Sequence, residues 1–441
     1  MWLANTFLAL CTLLYLPELI FKTVWLGQGD AQVFFRAGWA IWTGYPLYEV
    51  TDRHGWTYHY PPTFALFMGP FANPLPGYPQ PWWALPYPMA IAVWYCLNAA
   101  CVILALHLWA RALEGYQLFK AQSEFLQGPL LLRLGPLLVF LPYVGDGMAR
   151  GQPSPLLLLL VVMYFLLYVE KRTAFAALFF ALAVAIKEFP IVLALIPLLR
   201  RDWKFLLWTA AWCVALMAVL PMLCVGSADT VDLYRQMWTG HLGGIISGSI
   251  PAKLISEVAP GGYDAISVGA TAARIAVGDW FNTSPLPTWA LAVQYLFDAF
   301  VVGAVAVLGH GGFWNLRGAQ PARGYPLLAA AAVLFAAVPL MVPVSKPNYV
   351  TFAVPLMGVL LFETWRRAGQ VVVTARMVAR AVIPSLAFVS FELQWHWLIV
   401  VGPMTWALLF FGPESLSLVS RLSAQSETGG VDRLAGQHVQ R

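Results

Sequence analysis

The chain has 441 residues, 60% of them hydrophobic and only 11% charged, with a formal net charge of +5. A soluble domain carries roughly 25% charged residues, so this composition excludes an ordinary soluble enzyme and points to an all-α, polytopic integral membrane protein. The positive balance is distributed as a topology signal and not as a nucleic-acid patch, and five cysteines without a CxxC pair support neither a disulfide framework nor a zinc site.

Residues 3–21 are apolar, with no basic residue before them and no small-residue cleavage site, which is the pattern of a retained transmembrane helix. The first loop, 22–83, then opens on "GQGDAQVFFRAGWAIWTGYPLYE". A helix from Asp30 places Val33, Phe34, Ala37 and Ile41 on one face and Gln32, Arg36 and Thr43 on the other, as in a helix lying along the membrane interface. Gly44-Tyr45-Pro46 ends it. Asp30 suits the N-cap, because its side chain accepts from first-turn amides, and a cap can also face a cleft. In "YHYPPTF", residues 58–64, Pro61 and Pro62 suit a helix entry. Tyr58, His59 and Tyr60 either line a cleft rim or belong to an aromatic belt, and His59 can bond a sugar hydroxyl or a phosphate.

Further apolar stretches run at 84–110, 128–145, 153–169, 174–199, 205–224, 288–308, 326–344, 348–364 and 380–418. Arg111, Lys120, Lys171, Arg172, Arg200, Arg201, Lys204, Arg317, Arg323, Arg366, Arg367, Arg376 and Arg380 mark one side, which short-loop charge bias makes cytoplasmic. That placement requires 174–199 and 380–418 to be hairpins, the first turning at Lys187-Glu188, and 61–77 to be a half-membrane or surface-lying helix. The expected architecture is about twelve transmembrane helices over residues 1–419, interfacial helices in the first extracytoplasmic loop, and a polar cytoplasmic tail at 420–441.

The outward side then collects Asp30, Arg36, Asp52, Arg53, Asp146, Arg150, Lys187, Glu188 and Lys346. Charges are rare in bilayer spans because desolvation is costly, so this set points to a site at the outer membrane surface. Arg150 and Gln152 stand in "GDGMARGQPSP", and Lys346, Asn348 and Tyr349 in "SKPNY". Lys187 either snorkels beside Glu188 or meets a lipid phosphate. Three basic positions on one face suggest an anion pocket. The long loop 225–287 contains a Gly-rich run and His241 that can cover a cleft. No P-loop, GxSxG, GxGxxG or HExxH occurs, and no acids sit at metal spacing.

The order of these motifs carries more than any one of them. An Asp-led helix ends in Gly-x-x-Leu-Tyr (Asp30 to Tyr48). Tyr-x-Tyr-Pro-Pro follows, then Gly-Gln-Pro-Ser, then a Lys-x-x-Pro hairpin before Arg-Arg-Asp-Trp, and a late Ser-x-Pro turn. This resembles glycosyltransferase family 87, polyprenyl-phosphate-mannose-dependent mannosyltransferases of the GT-C superfamily, well over 25–205 and loosely over 325–365. The chain departs from the family at "ISGSIPAK" (246–253), at the late turn, where the family often has histidine, and at Ser154, where it usually has asparagine.

The resemblance implies a GT-C-like bundle in the cell membrane, with its active site on the extracytoplasmic side and Asp30 as catalytic base. The implied partners are a polyprenyl-phosphate sugar donor, a lipid or glycan acceptor and membrane lipids. No cofactor or metal is expected, because a prenyl-phosphate leaving group needs a base for the acceptor and cations for the phosphate. The candidate substrate-binding residues are Arg36, Tyr58, His59, Tyr60, Arg150, Gln152, Lys187, Glu188, Lys346, Asn348 and Tyr349. The rival reading is a transporter or lipid flippase, which predicts two corresponding halves with broken helices near midplane; no such symmetry is visible.

Overall fold

The protein's structure is a computed structural model. It describes residues 29–52, 55–115, 129–239, 267–277, 287–308, 324–341 and 347–368. In chain order the α-helices are α1 (Asp30–Thr43), α2 (Pro62–Phe67), α3 (Tyr87–Leu113), α4 (Leu131–Ala149), α5 (Ser154–Val169), α6 (Thr173–Ile186), α7 (Leu195–Leu199), α8 (Trp203–Val214), α9 (Leu220–Val225), α10 (Ser227–Met237), α11 (Val268–Val277), α12 (Thr288–Leu308), α13 (Gly324–Met341) and α14 (Val354–Ala368). Short 3-10 turns at Gly69–Phe71, Phe189–Ala194 and Pro347–Ala353 join several of them. Among the described residues the β structure amounts to an isolated antiparallel bridge between Thr51 and Thr57.

Local chemistry explains most boundaries. Proline occupies one of the first two positions of α2, α3 and α5, where its missing N–H costs nothing and its fixed φ suits the helix; Pro221 instead lies inside the continuous Trp203–Val225 helix, just after its π-helical turn at Ala215–Val219. Asp202 caps α8 by accepting from the Phe205 amide at 3.1 Å. Gly44, in the left-handed region at φ 73°, stops α1, a conformation that a side chain would strain. The expected break at Lys187-Glu188 is present: Lys187 is extended, and the chain resumes as a 3-10 turn at Phe189.

Two helices are long and apolar enough to cross a membrane: Tyr87–Leu113, and Trp203–Val225, which joins α8 to α9. A third span arises if the two halves of α4, bent by 68° between Leu141 and Tyr143, are one. Shorter apolar helices such as α5 and α6 pack in the same bundle. The described residues therefore give an all-helical fold with the apolar helices of a membrane protein, and they do not reach the twelve spans expected. The segments 3–21 and 380–418 lie outside the described residues, as do Arg53, Lys346, His241, "ISGSIPAK" and the tail.

α1 differs from expectation in its surroundings. The sequence pattern puts it along the membrane interface, with Gln32, Arg36 and Thr43 opposite its apolar face. Every residue from Ala31 to Ile41 is instead buried, Gln32 and Arg36 included, each 5% exposed. α1 packs on α2, on the Gly69–Phe71 turn and on α9. Phe34 meets Tyr60 and Phe64 edge-on at 4.9 and 5.2 Å, and Phe35 stacks on Phe71 at 5.6 Å. Burying each phenylalanine contributes about 1.5–3 kcal/mol. Arg36 can be enclosed because its guanidinium donates to the Thr51 carbonyl.

Candidate active site

Asp30 is the first residue of α1, and Gly29 occupies the cap position with no side-chain cap bond. The capping role expected for Asp30 falls partly to Asp52. That buried carboxylate accepts from Gly29 N at 3.4 Å and from Trp56 N at 3.0 Å. It thereby ties the head of α1 to the turn closed by Asp52 N donating to Trp56 O at 3.0 Å. Asp30 is left half-buried, with a carboxylate that accepts no hydrogen bond among the described residues.

The head of α1 is joined to the corner between α4 and α5. Ala31 N donates to Arg150 O at 3.1 Å. Gly151 has φ 71°, and a Cβ there would collide with the Ala31 side chain. Trp94 holds the corner from α3 by donating its indole N–H to Gly151 O at 2.8 Å. The corner thus needs glycine for both its dihedral and its clearance.

From this corner a polar chain leads to the α6 turn. Buried Gln152 accepts from the Tyr60 hydroxyl at 3.1 Å, and the Tyr60 oxygen accepts from Lys187 Nζ at 2.9 Å. The ammonium lies over the rings of Tyr60 and Tyr349, 4.6 and 4.3 Å from their centroids, with Phe189 at 5.9 Å. Such contacts stabilise a desolvated cation. Lys187 therefore points into the protein, where snorkelling toward water had been an alternative. Burial holds the Tyr60 phenol well above its ordinary range, and Tyr349, Asp30 and Glu188 push it the same way. It stays protonated, which fits its donating to Gln152 while accepting from Lys187. The head of α1 reaches the same phenol by two routes: Ala31 N bonds Arg150 O, two residues before the Gln152 that Tyr60 bonds, and Phe34 packs on the Tyr60 ring.

Other expected site residues have different surroundings. Tyr58 is fully buried and donates to Pro61 O at 2.8 Å, closing the first loop from within. His59 sits half-buried, with Nε2 3.3 Å from the Thr57 hydroxyl. Arg150 pairs with Asp146 at 2.9 Å, one helical turn earlier, so its charge is partly neutralised. Glu188 is in the turn, outside both flanking helices. Burial pushes its carboxyl up to about 7, opposed by a backbone N–H and by Lys187. Asn348 lies in the backbone of the Pro347–Ala353 turn. Sequence reasoning passed over Tyr48 and Tyr234, which join the site. Tyr48 donates to Tyr60 O at 3.2 Å. The structural part played by Asp52 had one signal, the Asp-x-x-Gly turn pattern of Asp52 to Gly55; Tyr234, in a polar helix of the long loop, had none. Among the described residues, no three His, Cys, Asp or Glu side chains come together as a metal site.

The sequence profile of glycosyltransferase family 87 matches residues 58–345, more than half of the chain. The chain belongs to glycosyltransferase family 87. With its apolar helical bundle, this family 87 member is a membrane glycosyltransferase. The match spans Tyr58 to Tyr60, the Arg150–Gln152 corner and the Lys187-Glu188 turn, whereas Asp30 and Arg36 precede it and Lys346, Asn348 and Tyr349 follow it. Among curated proteins no match is found.

Proposed function

We propose that this family 87 protein moves a hexose, mannose by resemblance, from a polyprenyl-phosphate carrier to an acceptor hydroxyl on a lipid or glycan at the extracytoplasmic membrane face. The observation that carries the reading is the juxtaposition around Tyr60: its hydroxyl accepts from the aromatic-caged Lys187 ammonium and donates to Gln152, which stands on the corner bonded to the head of α1, where the Asp30 carboxylate accepts no hydrogen bond among the described residues. A displacement at a sugar carbon needs these two groups. Asp30 takes the proton of the acceptor hydroxyl as its oxygen forms a bond to the anomeric carbon. The bond from that carbon to the phosphate oxygen breaks, and Lys187 stabilises the charge that the phosphate gains. Attack opposite a single leaving group inverts the anomeric centre.

The test is Asp30→Asn in the full-length protein, assayed for transfer from polyprenyl-phosphate mannose into a membrane lipid extract, with products read by mass spectrometry. Transfer should fall on the order of 10²-fold or more, the loss expected for a general base, while donor affinity is kept. Near-normal transfer by Asp30→Asn would refute the assignment of the base.

A further inference from the structure

The proposed base and phosphate cation use Asp30, Lys187 and Tyr60. They leave unused the second charged group of the α6 turn. Glu188 Oε1 is enclosed and, among the described residues, meets no hydrogen-bond partner. Leaving a buried acceptor unsatisfied is costly, so most such atoms are paired.

A second orphan lies in the same neighbourhood. The hydroxyl of Tyr234, on α10, is likewise enclosed without a partner. The Thr63 hydroxyl is near enough to act on it electrostatically but is not in hydrogen-bond geometry with it, and donates to Leu216 O at 2.9 Å. Glu188 and Tyr234 are linked through the first loop: α10 packs on the Leu47–Glu49 turn that carries Tyr48, the Tyr48 and Tyr58 rings are 5.9 Å apart, and Tyr48 donates to the carbonyl of Tyr60, whose hydroxyl accepts from Lys187 beside Glu188. Tyr60 feels Glu188 and Asp30 together. Glu188 is thus coupled electrostatically to Lys187 on its own turn, to Tyr48, Tyr58 and Tyr60 from the first loop, and to Tyr234 from α10. Among the described residues, one acceptor and one donor thus stand unfilled close to the residue that would hold the phosphate.

We propose that Glu188 and Tyr234 form the hydroxyl-recognition subsite for the sugar of the lipid-linked donor, with Glu188 Oε1 accepting from one ring hydroxyl and the Tyr234 O–H donating to another. This rests on the donor reading above. Sugar hydroxyls both donate and accept, so a carboxyl and a phenol match them. The donor's sugar is favoured over the acceptor's because that sugar is bonded to the phosphate, and Glu188 is the immediate neighbour of Lys187, the residue that would hold the phosphate, their Cα atoms about 3.8 Å apart. With its carboxyl held at about 7 by burial, Glu188 keeps an accepting oxygen whether or not it is protonated.

The experiment measures affinities of the full-length protein in lipid nanodiscs for polyprenyl phosphate, polyprenyl-phosphate mannose and polyprenyl-phosphate glucose. The wild type is expected to prefer one sugar-bearing lipid over the bare lipid. Glu188→Gln and Tyr234→Phe should each cut that preference on the order of 10-fold. Both variants should bind bare polyprenyl phosphate as the wild type does, which also shows that they are folded. Undiminished preference in both variants overturns the subsite and leaves the donor reading standing, and so does a wild type that binds all three lipids alike. A wild type that binds none of the three overturns the donor reading and the subsite with it.

Discussion

The sharpest handle on the chemistry is Lys187→Met. The lysine has three protons to give. One goes to Tyr60 at 2.9 Å, and the rings of Tyr60 and Tyr349, 4.6 and 4.3 Å from Nζ, hold the rest of the head in place. Methionine keeps the unbranched stem and its aromatic contacts, and Tyr60 keeps Gln152 as its acceptor, so the variant removes charge with little change in shape. A hydrogen bond to a charged group contributes roughly 1.5–3 kcal/mol, which corresponds to roughly a 10- to 150-fold loss in kcat/KM. Part of that loss should fall on kcat, because the phosphate gains charge as its bond to the sugar breaks. Lys187→Arg should rescue poorly, since a planar guanidinium does not take the place of a compact ammonium between two rings. Initial rates at varied polyprenyl-phosphate mannose, with a melting curve for each variant, separate the effects. Transfer by Lys187→Met within about threefold of wild type, smaller than the loss of one charged hydrogen bond predicts, would refute the phosphate role and leave Lys187 as an aromatic anchor.

Three other outcomes follow from the geometry. Gly151→Ala forces a side chain into a left-handed backbone and onto Ala31; it should lower stability by about 1–3 kcal/mol and displace Asp30, so that transfer falls further than melting alone explains. Glu188 is raised from its ordinary value near 4.5 to about 7. The fold therefore favours its protonated form, and this contribution is fully present below about 4.5 and lost as pH rises through about 7. Melting temperatures measured from acidic to mildly alkaline pH should fall across that window, and Glu188→Gln should remove that component of the fall. For topology, single cysteines at the exposed positions Pro79 and Arg201, in a background without native cysteines, should respectively react and fail to react with an impermeant thiol reagent in intact cells; the reverse pattern would refute an extracytoplasmic site.

The sequence made α1 legible from end to end, since Asp30 opens a helical run and Gly44 supplies the one residue type that turns left-handed without strain. The break at Lys187 was legible for a similar reason: a charged pair and Pro190 interrupt an apolar run. The surroundings of α1 were not. Aromatic and aliphatic residues at helical spacing fit a lipid surface and a protein interior equally, and only the packing of α2 and α9 decides between them. Asp30 and Asp52 posed the same difficulty at the site. Both are acids in one loop, and composition does not say which one receives the backbone amides. Tyr234 was hidden because its helix joins the first loop through tertiary contact alone.

The enclosure of α1 has a mechanical consequence. Gly38 lies so close to the Met68 backbone that an added Cβ would stand 2.5 Å from the Met68 oxygen, and Ala31 to Ile41 are covered on all sides. At this register only glycine fits against Met68, so turning α1 or sliding it by one residue would bring the side chain of Ala37 or Trp39 onto the Met68 backbone. The Asp30 side of the site acts as the fixed jaw of a vice.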